Sequence, residues 1–276
     1  MKTLTKVLLG AMSRAARPYL QSYGLLQTTK VFHKSALVWQ PGSERVVVLA
    51  PHMDDEVIGC GGTLALHVAR GADVTVVFLT DGRHGGDLSP EQKARGMTVT
   101  SMRKHEAELA LTQLGIRNIV YLDAEDGRLE ADPDAPGKLR EILLRVRPEI
   151  LYLPFFMEQH PDHTAASPLL AEAVKDTSLA FRCHSYEVWT PLFPNCFVRI
   201  DETVDLKRRA LAHYKSQLAD ANYVHTALGL SAYRSNAIAD RDCRFVEAFC
   251  VHTLPQYFEY YRSFAQSTAT PERAPA

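Results

Sequence analysis

The sequence predicts an α/β fold: Rossmann-like, with a mostly parallel sheet flanked by helices and with extra strands and helices toward the C-terminus. Two observations carry that expectation. Short, continuous apolar runs (RVVVLA, DVTVVFLT, NIVYL and EILYLP) recur between residues 45 and 154, and segments of helical pattern separate them. Strands buried on both faces of a parallel sheet read as unbroken apolar runs, and the alternation with helices marks βαβ units.

Taken in order, residues 45–50 form the first predicted strand and residues 56–68 the first helix, with Val57, Leu64 and Val68 among its apolar positions. Residues 73–80 are the second strand, followed by the polar loop DGRHGGDLSP. A long helical stretch then ends near LTQLG, with Gly115 as its stop signal. Strands are predicted at 118–122 and 149–154, with a helix at 138–146 between them and another at 164–174. Beyond Phe181 the rhythm changes: HSYEVWT and CFVRI read as strands, and DLKRRALAHYKSQL as a helix.

The 276 residues, 46% of them apolar, suffice for a sizeable core. Within residues 1–43 there is no Asp or Glu, and six Lys or Arg give that stretch +6, so the rest carries −7 to reach the net −1. Three segments are expected: a basic extension at 1–43, a single domain at 44–264, and a flexible tail at 265–276. The basic arm suits a peripheral contact with an anionic membrane surface, an organelle transit peptide, or a flexible basic extension with no address. No apolar run is long enough to span a bilayer. The five cysteines are widely spaced, without Cys-x-x-Cys, which argues for a reducing, cytoplasmic setting and against a cysteine-based zinc site. An acidic body without a recognition motif argues against nucleic acid.

The chemistry concentrates at two strand ends. His52-x-x-Asp55 follows the first strand, and His160-x-x-His163 follows the fourth. In a parallel sheet both fall where ligands bind, beyond the carboxyl ends of the strands. Two imidazoles and a carboxylate are a donor set that zinc takes in catalytic sites. Taken singly, each residue has a plainer reading: His160 or His163 as a surface histidine, Asp55 as a helix cap. Gly59, Gly61 and Gly62 do not make a G-x-G-x-x-G fingerprint and lie beside three acids, so they read as packing positions for the helix. Cys60 reads as a buried filler, because neighbouring carboxylates disfavour a thiolate.

His52-Met53-Asp54-Asp55-Glu56 resembles the A-H-P-D-D-E signature of the PIG-L/LmbE-like zinc deacetylases, and His160-Pro161-Asp162-His163 matches their second signature, H-P-D-H. Softer matches lie at Thr80-Asp81-Gly82, Arg103-x-x-Glu106, Asp126-Gly127 and His213 to Gln217. The resemblance covers residues 45–260. It departs at Met53, where relatives carry Pro, and at Glu158, where some carry an aromatic residue.

The resemblance implies a hydrolase that removes an acetyl group from an N-acetylated, GlcNAc-type sugar conjugate, a small molecule that in some relatives is lipid-linked. It implies His52, Asp55 and His163 as ligands of Zn2+ or another divalent ion, Asp54 as general base, and His160 as the partner of the developing charge. Asp162 is expected to orient His160 or a metal ligand. Glu56 either supports the site or simply begins a helix. Arg103, Asp126 and Arg83, with His84, are candidate substrate contacts. Two alternatives stand beside this: a metallohydrolase of another amide or an ester, and a non-catalytic carbohydrate-binding protein. Both signatures are intact, which favours catalysis.

Overall fold

The computed structural model describes residues 37–268. It divides into two compact units, one of them residues 36–254; the described part of the other is the helix that continues from Pro255. Residues 1–36 of the expected basic extension and 269–276 of the expected tail lie outside the described residues, while residues 37–43, expected as part of the extension, belong to the main unit, where Leu37 and Val38 pair with Cys196 and Phe197.

The main unit is built on one eight-stranded sheet: β1 (Leu37–Val38), β2 (Arg45–Ala50), β3 (Asp73–Thr80), β4 (Asn118–Ala124), β5 (Ile150–Pro154), β6 (Arg182–Tyr186), β7 (Cys196–Arg199) and β8 (Val246–Thr253). Their order across the sheet is β1-β7-β8-β6-β5-β2-β3-β4. Every pairing is parallel except those of β8 with β6 and β7. The predicted α/β class and parallel sheet are therefore what the chain adopts. Val46, Val47, Val48 and Leu49 of β2 are fully buried, as an unbroken apolar run between two helical layers must be.

The order places the site. From β2 the chain runs outward through β3 and β4, then crosses back to lay β5 on the opposite side of β2, pairing Val48 with Tyr152. That reversal is a topological switch point, where a crevice opens beyond the strand ends. The segments leaving β2 and β5 are those that carry the two signatures.

The helices are α1 (Asp55–Ala69), α2 (Pro90–Ala94), α3 (Val99–Gln113), α4 (Ala135–Val146), α5 (Pro161–Val174), α6 (Val204–Leu211), α7 (Lys215–Leu218), α8 (Tyr223–Arg234) and α9 (Leu254–Thr268). Helix α1 is broken at Cys60, whose φ of −144° is not helical. The groups freed by the break are answered from outside. The Glu247 carboxylate accepts the Gly62 and Thr63 amides at 2.9 and 2.7 Å, while Lys207 Nζ donates to the Ile58 carbonyl at 2.8 Å and to Glu247 at 2.7 Å. Thr203 Oγ1 donates to the Gly62 carbonyl. The glycines do act as packing positions: a Cβ on Gly59 would enter the Tyr186 ring, and one on Gly62 would meet Ile200 at 2.8 Å.

Several boundaries differ from expectation. The helix expected from residue 164 begins at Pro161, because Pro suits the first helical position and His160 caps it by accepting the Asp162 amide on Nδ1. The strand expected through HSYEVWT stops at Tyr186, because Glu158 captures the amides of Val188, Trp189 and Thr190. The helix expected across 205–218 is split into α6 and α7 by a turn that swings Tyr214 inward. Strands β1 and β8 and helices α2, α8 and α9 were not legible in the apolar pattern. Among the described residues no helix is long and apolar enough to cross a membrane.

Candidate active site

Strand β2 ends at Ala50, and the chain turns sharply into α1. Asp54, the residue before the helix, is held at φ 140°, ψ −27°, a conformation an L-residue adopts only under constraint. Three contacts supply the constraint. The Asp54 amide donates to Glu56 Oε2 at 3.1 Å, Arg103 Nη2 donates to the Met53 carbonyl at 2.7 Å, and the same guanidinium lies 3.6 Å from Asp54 Oδ1. The turn points Asp54 and Asp55 in different directions, so adjacent acids meet different surroundings.

His52 Nδ1, Asp55 Oδ2 and His163 Nε2 form a near-equilateral triangle with sides of 3.4, 3.2 and 3.3 Å. Donors bound tetrahedrally at about 2.0–2.1 Å from a zinc ion stand about 3.3–3.4 Å apart. The three side chains therefore already have the spacing of a metal cage. All three are buried. A nitrogen of His160 also lies within 4.8 Å of one on each of His52 and His163. His160 sits at the mouth, with its ring centroid 4.6 Å from that of His52, and its Nδ1 is engaged in capping α5.

A second ring of groups orients the first. His52 Nε2 lies 3.1 Å from Asp126 Oδ1 and 3.1 Å from Asp162 Oδ2. That contact fixes the ring so that Nδ1 faces the triangle, the arrangement that ligating histidines usually require. Asp162 is itself held by the amides of Gly127 and Leu129 at 2.7 and 3.0 Å. His163 Nδ1 has no hydrogen-bond partner and lies 4.0 Å from Glu158 Oε2.

The electrostatics follow from this crowding. Burial, reinforced by Asp55, lifts the Asp54 carboxyl to about 7 although Arg103 pulls it down. Burial would lift Asp55 too, but the charge of His163 and hydrogen bonds with His163 and His52 hold it well below the carboxylate range. Burial disfavours a charged His52, yet its bonds with Asp126, Asp162 and Asp55 raise it well above the ordinary value. For His160, burial and then the neighbouring His52 and His163 charges lower it. Glu56 is buried and pushed up to about 8 by desolvation, so it stays protonated at neutral pH despite its contact with the Tyr214 hydroxyl. A buried crevice that gathers three imidazoles and several acids is a setting in which a cation balances charge.

The predicted residues divide into two groups. His52, Asp54, Asp55 and His160 line one cleft of about 170 Å³. His163 lies behind it, in the triangle. Asp162 touches both histidines it was expected to serve: its Oδ2 lies 3.1 Å from His52 Nε2, and its amide donates to His160 Nδ1. Glu56 does more than begin a helix, since it tethers the strained Asp54. Of the expected substrate contacts, Arg103, Asp126 and His84 line the cleft and Arg83 does not. Arg103 is buried and clamps the Met53–Asp54 turn, although it reaches the cleft wall. Asp126 spends one oxygen on His52 and the other on the His84 amide. Arg83 is half exposed and paired with Asp81, outside the cleft lining. Glu158, Tyr214, Trp189 and Tyr223 were missed as parts of the site. Two of them left a signal: Glu158 as an acid in an apolar strand exit, and Tyr214 within the soft match at His213 to Gln217. Cys60 is a buried filler whose thiol burial pushes well up.

The curated relatives that match are deacetylases of N-acetylated sugars, while the similar solved structures also include GalB, a 4-carboxy-2-hydroxymuconate hydratase, at 23% identity and a TM-score of 0.63, a likeness of fold alone. A family model described as GlcNAc-PI de-N-acetylase matches residues 47–174, the stretch that holds both signatures. The chain is 28% identical over 234 residues to a diacetylchitobiose deacetylase of Thermococcus kodakarensis, covering 77% of this chain and 86% of that one. It is 29% identical to a probable N-acetyl-alpha-D-glucosaminyl L-malate deacetylase 2 of Bacillus anthracis, covering 63% and 81%. Among solved structures it resembles a conserved protein of Thermus thermophilus, with 30% identity, a TM-score of 0.64, and coverage of 75% of this chain and 94% of that one.

Proposed function

The chain belongs to the PIG-L family of de-N-acetylases, and from that premise we propose that it is a metal-dependent hydrolase that removes the acetyl group from an N-acetylglucosamine conjugate. One observation carries the reading: three donors spaced for a tetrahedral ion, with an acid of raised pKa beside them on the same strand end.

His52, Asp55 and His163 would hold the ion, and zinc suits two imidazoles and a carboxylate, although other divalent ions accept the same set. When bound, the ion supplies Lewis acidity, which lowers the pKa of water and polarises an amide carbonyl. Asp54 takes the proton of the attacking water and later gives it to the amide nitrogen as the C–N bond breaks, so one group serves as base and then acid. A carboxyl near 7 can do both at neutral pH. His160, at the cleft mouth, donates to the oxygen that gains negative charge. Asp162 and Asp126 keep the His52 ring turned, and Arg103 with Glu56 keeps Asp54 in place.

The test is acetate release from a set of N-acetylated sugar conjugates, with and without added zinc. Asp54→Ala is expected to keep its metal and to lose on the order of 100-fold or more in turnover. Turnover at the wild-type rate in that variant would refute the role of Asp54, and silence of the wild type on every conjugate would refute the substrate class.

A further inference from the structure

Beside the cleft runs a second depression of about 290 Å³ between α8 and the segment after β6. Trp189 and Tyr223 line both spaces, so the two lie side by side. Their chemistry differs sharply. The cleft presents imidazoles, carboxyls, Arg103 and Gln217. The groove presents Ile58, Val188, Pro191, Ala227 and Leu230, and no charged side chain. Ile58 is three residues beyond Asp55 on α1, which puts the groove about one helical turn from the metal triangle. Tyr223, Ala227 and Leu230 share one face of α8.

The groove is rigidly framed. Its outer wall, residues 188–191, hangs from Glu158, whose two oxygens accept the Val188, Trp189 and Thr190 amides at 2.7–3.2 Å. The wall is tied to the end of α8 by Arg234, which donates from Nε to Glu187 at 2.9 Å and from Nη2 to the Leu192 carbonyl at 2.8 Å. Trp189 is thereby held edge-on to Tyr223, with ring centroids 5.3 Å apart, while 48% of its surface stays exposed. A large exposed indole on a fixed wall, beside an uncharged trough that adjoins the polar cleft, is a built apolar subsite.

We infer that this groove binds an apolar aglycone, so that the preferred substrate joins the N-acetylated sugar to an alkyl or aryl group rather than to a second polar unit. The inference rests on the deacetylase reading for the sugar, and on the groove alone for the aglycone. Glu158 is then a positioning residue for the wall that carries Trp189.

The experiment compares the methyl and octyl glycosides of N-acetylglucosamine on the zinc-loaded, full-length protein. Two readouts are taken: steady-state acetate release, and binding followed by tryptophan fluorescence. Each methylene buried is worth about fourfold in affinity, so the octyl glycoside is expected to lower KM about tenfold or more, with kcat little changed. Leu230→Glu should erase that advantage and leave methyl glycoside turnover as in the wild type. Fluorescence should rank the ligands the same way, and the change should disappear in Trp189→Phe. If neither glycoside is hydrolysed, the deacetylase reading fails, while the binding data still decide on the groove. Equal affinity for the two glycosides overturns the inference, as does an octyl preference that persists in Leu230→Glu. A preference for a long N-acyl chain on the methyl glycoside would also overturn it, by giving the groove to the acyl side.

Discussion

Glu56 accepts the backbone amide of Asp54 at 3.1 Å, so the last acid of the signature holds the first, two residues before it, in its strained turn. The Glu56 carboxyl is fully buried and meets the Tyr214 hydroxyl on its other oxygen. Because burial keeps it protonated at neutral pH, a neutral amide of the same shape should replace it. Glu56→Gln is expected to retain turnover within about threefold, whereas Glu56→Ala frees the turn and should lower kcat by on the order of tenfold or more. Steady-state kinetics on the two variants check this, and equal losses in both would contradict it.

The orientation of His52 depends on Asp162, which accepts from its Nε2 and from two backbone amides. Asp162→Asn puts a donor among three donors. Metal affinity should fall about 10- to 100-fold. Competition with a fluorescent chelator measures this without reference to catalysis, and an unchanged affinity would remove Asp162 from the support of the site.

Lys207 and Glu247 form a buried ion pair that also satisfies the backbone groups freed at the Cys60 break. Removing one member leaves the other charged and buried. Lys207→Met is expected to cost about 3–5 kcal/mol of unfolding free energy in urea. A loss below about 1 kcal/mol would mean that the break in α1 tolerates a missing partner.

Two histidines remote from the cleft set a pH response. Burial holds His252 down at about 4, and burial, with Arg182 and His67, holds His184 well below its ordinary value. Unfolded, both take up protons near pH 6.5. Between about 6.5 and the folded values the unfolded chain binds more protons, so their contribution to stability is present above that range and is lost as pH falls. The part of the urea midpoint that these two histidines set should therefore drop from pH 7 to pH 5, against the opposite contribution of Glu56, Asp54 and His52, whose raised values favour folding as pH falls. His184 has neither ring nitrogen hydrogen-bonded, and it packs on Trp39 and Tyr152, so His184→Phe should flatten that drop. A slope identical in the variant would contradict the assignment.

The parallel sheet and the convergence of the two signatures were legible because both follow from local pattern. Apolar runs such as RVVVLA mark strands that are buried on both faces, and a strand end is where a ligand site falls. What local pattern could not carry was any feature set by a distant partner. Glu158 reads as a polar residue in a loop until its three amide partners, some thirty residues on, are seen to end β6 early. Tyr214 reads as one position in an amphipathic run, and only its reach to Glu56 explains the break between α6 and α7. Arg103 and Asp126 have the chemistry of substrate contacts, but the fold engages them with Met53, His52 and His84. Trp189 carried no pattern at all, because its role comes from the wall on which it stands.

The central claim is that His52, Asp55 and His163 close one metal cage. The most direct measurement is the metal content of dialysed wild-type protein beside Asp55→Ala and His163→Ala. The wild type should hold about one divalent ion per chain, and each variant should lose most of it at the same free metal concentration. A metal-free wild type whose activity ignores chelator, or a His163→Ala variant that keeps its full complement of ion, would contradict the claim.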